Sequence, residues 1–560
     1  MAHIFREYNP EKIEQVRTHP YYANLRRHTL ERADFYIEND PPVIKFSKIH
    51  LYVTTGNREK FQNDYTNYEE RMTTLALAYI ISEDEKYLEP LADIIWNICD
   101  FESWSIPAHV SETLSTERRR QNLDLTSCIM GYRMSEILYL IGDKLPELVV
   151  RRARDEIRYR VTDSFARYTE QEFSWYKKID NWSAVCIAGV LCSYLYTCTD
   201  EEINAQLPKM REVAENYLKG FKEDGCCTEG YSYWIYGFSF FCLFAKMLLD
   251  YTDGEINYFA DEKVHKIAMF QQNILLNENQ CISFSDGDLG FAPRIWLSHF
   301  LKEIYPDMQL PKLPDEYTET VGLTRLRFVF CSNPDIKGGE ITPHSHIFRN
   351  AEWFLCHTES YALAAKAGHN QEFHNHNDVG SFIVSKNGVA TFCDPGKGEY
   401  TADYFGKNRY DIFLPSARSH SVPIINGKYQ IVGKREGGVI EADERRFKFY
   451  MHNGYVIDTL SSLTRDFECL DGFIRMTDEY EFSEQPTSIT ERFVSLLPIT
   501  VGEGSLTCGD SVMTFDKELY DISVSSEQVS RVGGHKDTVY YADLTVKSLD
   551  KHMKLVFEFK

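Results

Sequence analysis

No run of about 18 consecutive apolar residues occurs in this chain, so no transmembrane helix is expected. The opening stretch, MAHIFREYNPEKIEQVRTHPYY, lacks the apolar core of roughly 7–15 residues that a signal peptide needs. A cytoplasmic protein is therefore expected, or a secreted or periplasmic one if a leader has been trimmed. A basic excess is also missing: 61 Lys and Arg stand against 84 Asp and Glu, a net charge of −23. That balance argues against nucleic-acid binding, which needs a basic footprint, but not against an anionic substrate held in a locally basic cleft. The 14 cysteines form no CxxC pair and no dense cluster beyond the adjacent Cys226 and Cys227. Buried thiols in a reducing compartment are expected rather than a disulfide framework.

What is present is length and two textures. A chain of 560 residues exceeds what one core usually supports. From about residue 64 to 305, segments such as YEERMTTLALAYIIS, YLEPLADIIWNICD, LDLTSCIMGYRMSEILYLIG and WSAVCIAGVLCSYLYTC put apolar residues three and four apart, with short polar turns between. Stacked helical pairs are expected, as a solenoid or closed toroid, although no strict repeat fixes the count. YPDMQLPKLPDEYTETVG (305–322) then interrupts the pattern with three prolines. We place a boundary there, giving a helical domain over 1–315 and a β domain over 316–560. Beyond it the period becomes two: SFIVSKNGVATFCDPG and HSVPIINGKYQIVG each read as strand, Asn-Gly turn, strand, and DTVYYADLTV and HMKLVFEF alternate. The fold class is α+β and multidomain, with the strands mostly antiparallel.

Chemistry-bearing residues gather in FHNHNDVGSF (373–382). Read as a strand, it projects His374, His376 and Asp378 from one face. Asp394 in DPGKGEYTADYF is a turn residue on the simplest reading and His420 in RSHSVPIING a core imidazole, yet with a histidine of the 374/376 pair they make a two-nitrogen, one-oxygen set suited to zinc or a similar divalent ion. In KKIDNWSAVC, Asp180 or Asn181 serves as a helix N-cap on the simplest reading. EDGCCTEGYSYWIYGFSFF crowds Glu229, Tyr231, Tyr233, Trp234 and Tyr236; an aromatic core stripe explains it, but several buried phenols would need several partners. Tyr233 and Tyr236 would share a helical face.

The order DNW, DG…EGYSYWIYG, GHNQEFHNHNDVGSF, DPGKGEYTADYF…RY and HSVPIINGKYQ resembles the heparinase II/III-like polysaccharide lyases, weakly in the first hundred residues and strongly over 366–430. The resemblance implies an (α/α) toroid followed by an antiparallel β-sandwich, and β-elimination on uronic-acid glycans. Glycosaminoglycans such as hyaluronan, chondroitin or heparan are the first substrate expectation; alginate or another uronate oligosaccharide is the second. It implies that Tyr233 is the phenolic acid/base, that His374 neutralises the uronate carboxylate or acts as base, and that Asn181 hydrogen-bonds that carboxyl. Tyr236, Trp182, Glu229, Arg118 and Asn375 would contact substrate. His376, Asp394 and His420 would hold a largely structural divalent ion, zinc ahead of manganese. The choice among Tyr231, Tyr233 and Tyr236 stays open, and Arg118, Arg119 and Arg120 read equally well as a solvated helix end. Implied partners are an anionic glycan and a second copy of the chain, with no nucleic acid and no membrane. A glycoside hydrolase and a non-catalytic glycan-binding protein are the rivals.

Overall fold

The structure is a computed structural model that describes residues 6–169, 171–319, 326–340, 342–401 and 403–560. The last residues of the proline-rich stretch, 320–322, lie outside the described residues. Two compact units result: Met1–Gly220, Ile235–Val264 and Pro293–Gly338 form one, and Phe221–Trp234, His265–Ala292 and Gly339–Lys560 the other.

The first unit is built of helices that pack on their sequence neighbours, among them Glu59–Ser82, Leu88–Cys99, Leu125–Ile141, Asn181–Thr197 and Asp200–Lys219. Caps set their starts. Asp124 and Ser127 form a reciprocal capping box, as do Thr199 and Glu202, and the Asp180 side chain accepts from the Trp182 backbone N–H. Helix Asn181–Thr197 is buried nearly throughout, which its two-sided apolar pattern requires. It crosses Leu125–Ile141 so closely that a Cβ on Gly189 would lie 2.2 Å from the Cys128 carbonyl oxygen. Only glycine fits there.

The second unit holds the sheets. Ser345–Phe348, Trp353–His357, Tyr361–Lys366, Phe382–Lys386 and Val389–Phe392 pair in sequence order as one antiparallel five-stranded sheet. An eight-stranded sheet centres on Leu460–Leu470, Phe473–Phe482 and His552–Phe559, and a four-stranded one on Tyr520–Ser530, Lys536–Val546 and Ile489–Ser495. The first two share a core: Phe354 stacks on Phe447 with centroids 5.2 Å apart, and Phe382 meets Phe467 at 5.3 Å. This is the expected sandwich. Both Asn-Gly turns form, with Asn387/Gly388 and Asn426/Gly427 all at positive φ, the conformation a two-residue hairpin turn of this type demands.

The single break at 315/316 and the observed division differ in two respects. The helical unit runs on to Gly338, through the short helix Leu326–Phe330, and two segments of the helical half belong with the sheets. Hydrogen bonds explain the second point. The Asp224 carboxylate accepts the backbone N–H groups of Asn350 and Ala351, Lys222 pairs with Glu372, and Ser283 Oγ donates to the Asp394 carbonyl. Helix Tyr231–Tyr251 is long and apolar enough to cross a membrane by length and composition, but 67% of its most apolar window is buried within the protein. It is packed as a core helix.

Candidate active site

FHNHNDVGSF is not a strand. His374 has φ +56°, in the left-handed region that non-glycine residues rarely enter, and residues 373–381 form turns that end where strand Phe382–Lys386 begins. Asp378 does not continue a shared face; it makes a buried ion pair with Lys366 at 2.7 Å. Asn370 is buried and braces the turn by accepting the Asp378 backbone N–H at 3.0 Å. Asn375, expected at substrate, is 2% exposed and turns its amide to the His376 carbonyl. A non-glycine residue held at positive φ by surrounding bonds is the kind of local strain that functional sites carry.

The two imidazoles do converge, but on a residue the sequence reading passed over. Asp286, fully buried in the turn SFSDGDLG, accepts from His374 Nδ1 at 2.8 Å through Oδ2. Its Oδ1 accepts from His376 Nε2 at 3.1 Å, Tyr404 Oη at 2.8 Å and Arg409 Nη2 at 2.7 Å. Burial alone would raise this carboxyl; the bonds from both histidines and the Arg409 charge hold it well below the usual carboxylate range. Arg409 also donates to the carbonyls of His374 and Asn375, fixing the strained turn from behind. Asp-Gly reads as a turn in any sequence, and nothing local distinguishes Asp286 from Asp224 or Asp253. Tyr404 and Arg409 stood in a quoted motif without an assigned role.

Tyr233 lies in the first turn of helix Tyr231–Tyr251, and its ring stacks on His374 with centroids 4.0 Å apart at 26°. Its hydroxyl is 3.2 Å from that of Tyr400. Burial pushes the Tyr233 phenol above its ordinary value and the Tyr400 hydrogen bond draws it back, whereas burial, then the Asp286 charge and Tyr233 itself, push Tyr400 up further. Either hydroxyl can donate in this contact, and both phenols are held above their ordinary value by burial. The second His374 nitrogen, Nε2, faces Glu229 at 3.5 Å. Phe405, 57% exposed, sets an apolar face beside this group, 5.0 Å from Tyr400 and 6.3 Å from His374 by ring centroids.

Behind the pair, His376, Asp394 and His420 are all fully buried, with one potential ligand atom from each within 4.8 Å of the others. His376 donates Nε2–H to ionised Asp286, and His420 donates Nε2–H to the Leu414 carbonyl at 3.1 Å, which leaves both Nδ1 lone pairs facing inward. Asp394 gives one oxygen to the Gly396 N–H at 2.8 Å, so the turn reading and the ligand reading each use a different oxygen. His420 Nδ1 and Asp394 Oδ2 form an ion pair at 3.0 Å, yet among the described residues neither they nor His376 Nδ1 has a hydrogen-bond partner of good geometry. Three buried atoms around one point, without well-formed hydrogen bonds among the described residues and each on a side chain held by a bond on its far side, make a donor set that fits a divalent ion.

Asn181, Trp182, Arg118 and Tyr236 belong to the other unit. Asn181 opens its helix after the Asp180 cap, Trp182 lies 4.8 Å from the His109 ring, and Tyr236 is one turn along from Tyr233 on the same helix. The arginine cluster is not a bare solvated end: Arg118 lies over the Tyr168 ring at 3.9 Å, Arg119 pairs with Glu102 and Arg120 with Glu156.

No protein-family model and no curated protein sequence matches this chain. Solved structures do. A heparinase III structure aligns with a TM-score of 0.65 at 13% identity, over 100% of this chain and 92% of that one. Heparan sulfate lyase HepC from Pedobacter heparinus aligns at 0.60 and 13%, over 100% and 92%. The Streptomyces coelicolor A3 chondroitin AC lyase, in complex with chondroitin sulphate, aligns at 0.55 and 9%, over 98% and 81%. At such identities the likeness shows the fold, a heparinase-like polysaccharide lyase fold over the full chain.

Proposed function

We propose that this protein is a polysaccharide lyase that cleaves uronate-containing glycans by β-elimination, with glycosaminoglycans as its first substrate class. The observation that carries the reading is the Tyr233–His374 stack, with Tyr400 bonded to one member and Asp286 to the other. β-Elimination must remove the C5 proton beside a carboxylate and protonate the departing O4. A phenol pushed up by burial is a strong base once ionised, and the Tyr400 O–H would steady that phenolate. Tyr233 takes the proton and returns one to O4 when both leave from the same side. His374, aimed by Asp286, neutralises the uronate carboxylate or serves as base on the opposite side. The enzymes with this fold named above, heparinase III, heparan sulfate lyase and chondroitin AC lyase, support the reaction class.

His376, Asp394 and His420 would hold the divalent ion, zinc ahead of manganese. Bound there, it would supply a fixed charge that braces the His374–His376 turn. The hydrolase reading fares worse: that mechanism needs two free carboxyl groups across the glycosidic bond, and Asp286 has both oxygens engaged.

The test is ultraviolet absorbance with time on hyaluronan, chondroitin, dermatan, heparan and alginate oligosaccharides. A rise on a uronate substrate that falls at least ~100-fold in Tyr233→Phe is expected. A rise that survives the substitution would move the acid/base role elsewhere, and new reducing ends without absorbance would sink the lyase reading.

A further inference from the structure

The two oxygens of Asp286 serve two different groups. Oδ2 holds Nδ1 of His374, the ring stacked on Tyr233; Oδ1 holds Nε2 of His376, a residue of the ion-binding set. A carboxylate is a rigid planar unit, so a shift of the His376 ring that turns one oxygen turns the other. Tyr404 and Arg409 pin Oδ1 as well, and Arg409 reaches round to the carbonyls of His374 and Asn375, so the turn carrying both histidines has little room to adjust separately. Nothing else is placed to hold His374 Nδ1 among the contacts of the described residues, since its other nitrogen faces Glu229 at 3.5 Å.

We infer that Asp286 is a positioning residue through which an ion held by His376, Asp394 and His420 fixes the orientation of His374. The inference rests on the proposed readings of both groups. It makes the ion more than a brace for the sandwich: filling the site locks His376 Nδ1, which aims its Nε2–H at Asp286 and so settles where Asp286 presents its second oxygen. Asp286 itself touches no reacting atom.

The experiment uses the full chain with zinc as the probe. In Asp286→Asn one acceptor oxygen remains and an NH₂ meets the other imidazole N–H, so only one of the two bonds survives. Competition against a chromogenic chelator should show zinc affinity reduced by about 10–100-fold, the usual cost of losing a ligand's outer partner. Tyr404→Phe, which keeps both imidazole bonds, should bind zinc nearly as the wild type does. Histidine-labelled protein followed by long-range nitrogen–proton NMR gives the second readout. The His374 Nδ1 signal, assigned by its loss in His374→Asn, should shift when zinc is removed from the wild type and stay still in Asp286→Asn. At saturating zinc, Asp286→Asn should lose kcat with KM little changed. Unchanged zinc affinity in Asp286→Asn, or a wild-type His374 signal indifferent to zinc, overturns the inference, as does a wild type that binds no zinc. If no glycan is cleaved, the lyase reading falls while the affinity and NMR arms still decide this one.

Discussion

His299 shows how one buried ring sets a pH limit on the fold. It is 1% exposed, and its Nδ1 accepts the Asn333 backbone N–H at 2.9 Å, which requires the neutral ring. Burial first, then the charges of Lys12 and Lys337, lower its pKa from 6.5 to about 4. Between those values the unfolded chain binds a proton that the native protein does not, so stability is full above pH 6.5 and falls as pH drops toward 4. His299→Asn keeps an acceptor in place of Nδ1 and removes the titration. Denaturant unfolding at pH 7 and 4.5 should show the pH-dependent loss reduced by on the order of 2–3 kcal/mol in the variant, where separate domain unfolding allows it. At this scale the sequence was legible only where residue type and motif coincided: Tyr233, His374, His376, Asp394 and His420 stood out, and the structure stacks Tyr233 on His374 and gathers His376, Asp394 and His420 into a second group, the two joined through Asp286. Asp286 and Tyr400 did not, because their importance lies in partners 88 and 167 residues away.

Strand Leu460–Leu470 carries the residue that ties the site turns to the sandwich. Arg465, 1% exposed, forms a two-pronged pair with Asp478 at 2.8 and 2.6 Å and donates to the carbonyls of Gly380, at 2.8 Å, and Ser421, at 2.7 Å. Those carbonyls close the His374 turn and the segment after His420. Arg465→Met removes the charge, leaves Asp478 buried without its counter-ion, and frees both turns. A loss of about 3–5 kcal/mol is expected in urea unfolding of the β unit's transition; a change near zero would mean the turns are held elsewhere. The strands themselves were readable from alternation and from Asn-Gly turns, since those signals are local. The histidine stretch reads as a strand for the same reason, because alternation of polar and apolar residues is shared by a strand and by a turn whose backbone is held from outside, here by Arg409 and Arg465.

For the molecule as a whole, the change from helical to strand period marked two textures correctly, and the heparinase-like fold agrees with both. Where the units divide was less legible. Segments Phe221–Trp234 and His265–Ala292 look helical or neutral in sequence but bond to residues beyond 345, and such long-range pairs leave no periodic trace. These segments supply Tyr233 and Asp286, so the proposed chemistry depends on that placement. What happens to the glycosidic bond is read from the product mass of one uronate oligosaccharide digested in oxygen-18 water. β-Elimination predicts fragments whose masses sum to that of the substrate, with an unsaturated end and no label. Fragments that together gain one water and carry oxygen-18 would mean that the bond is hydrolysed and that the protein is not a lyase.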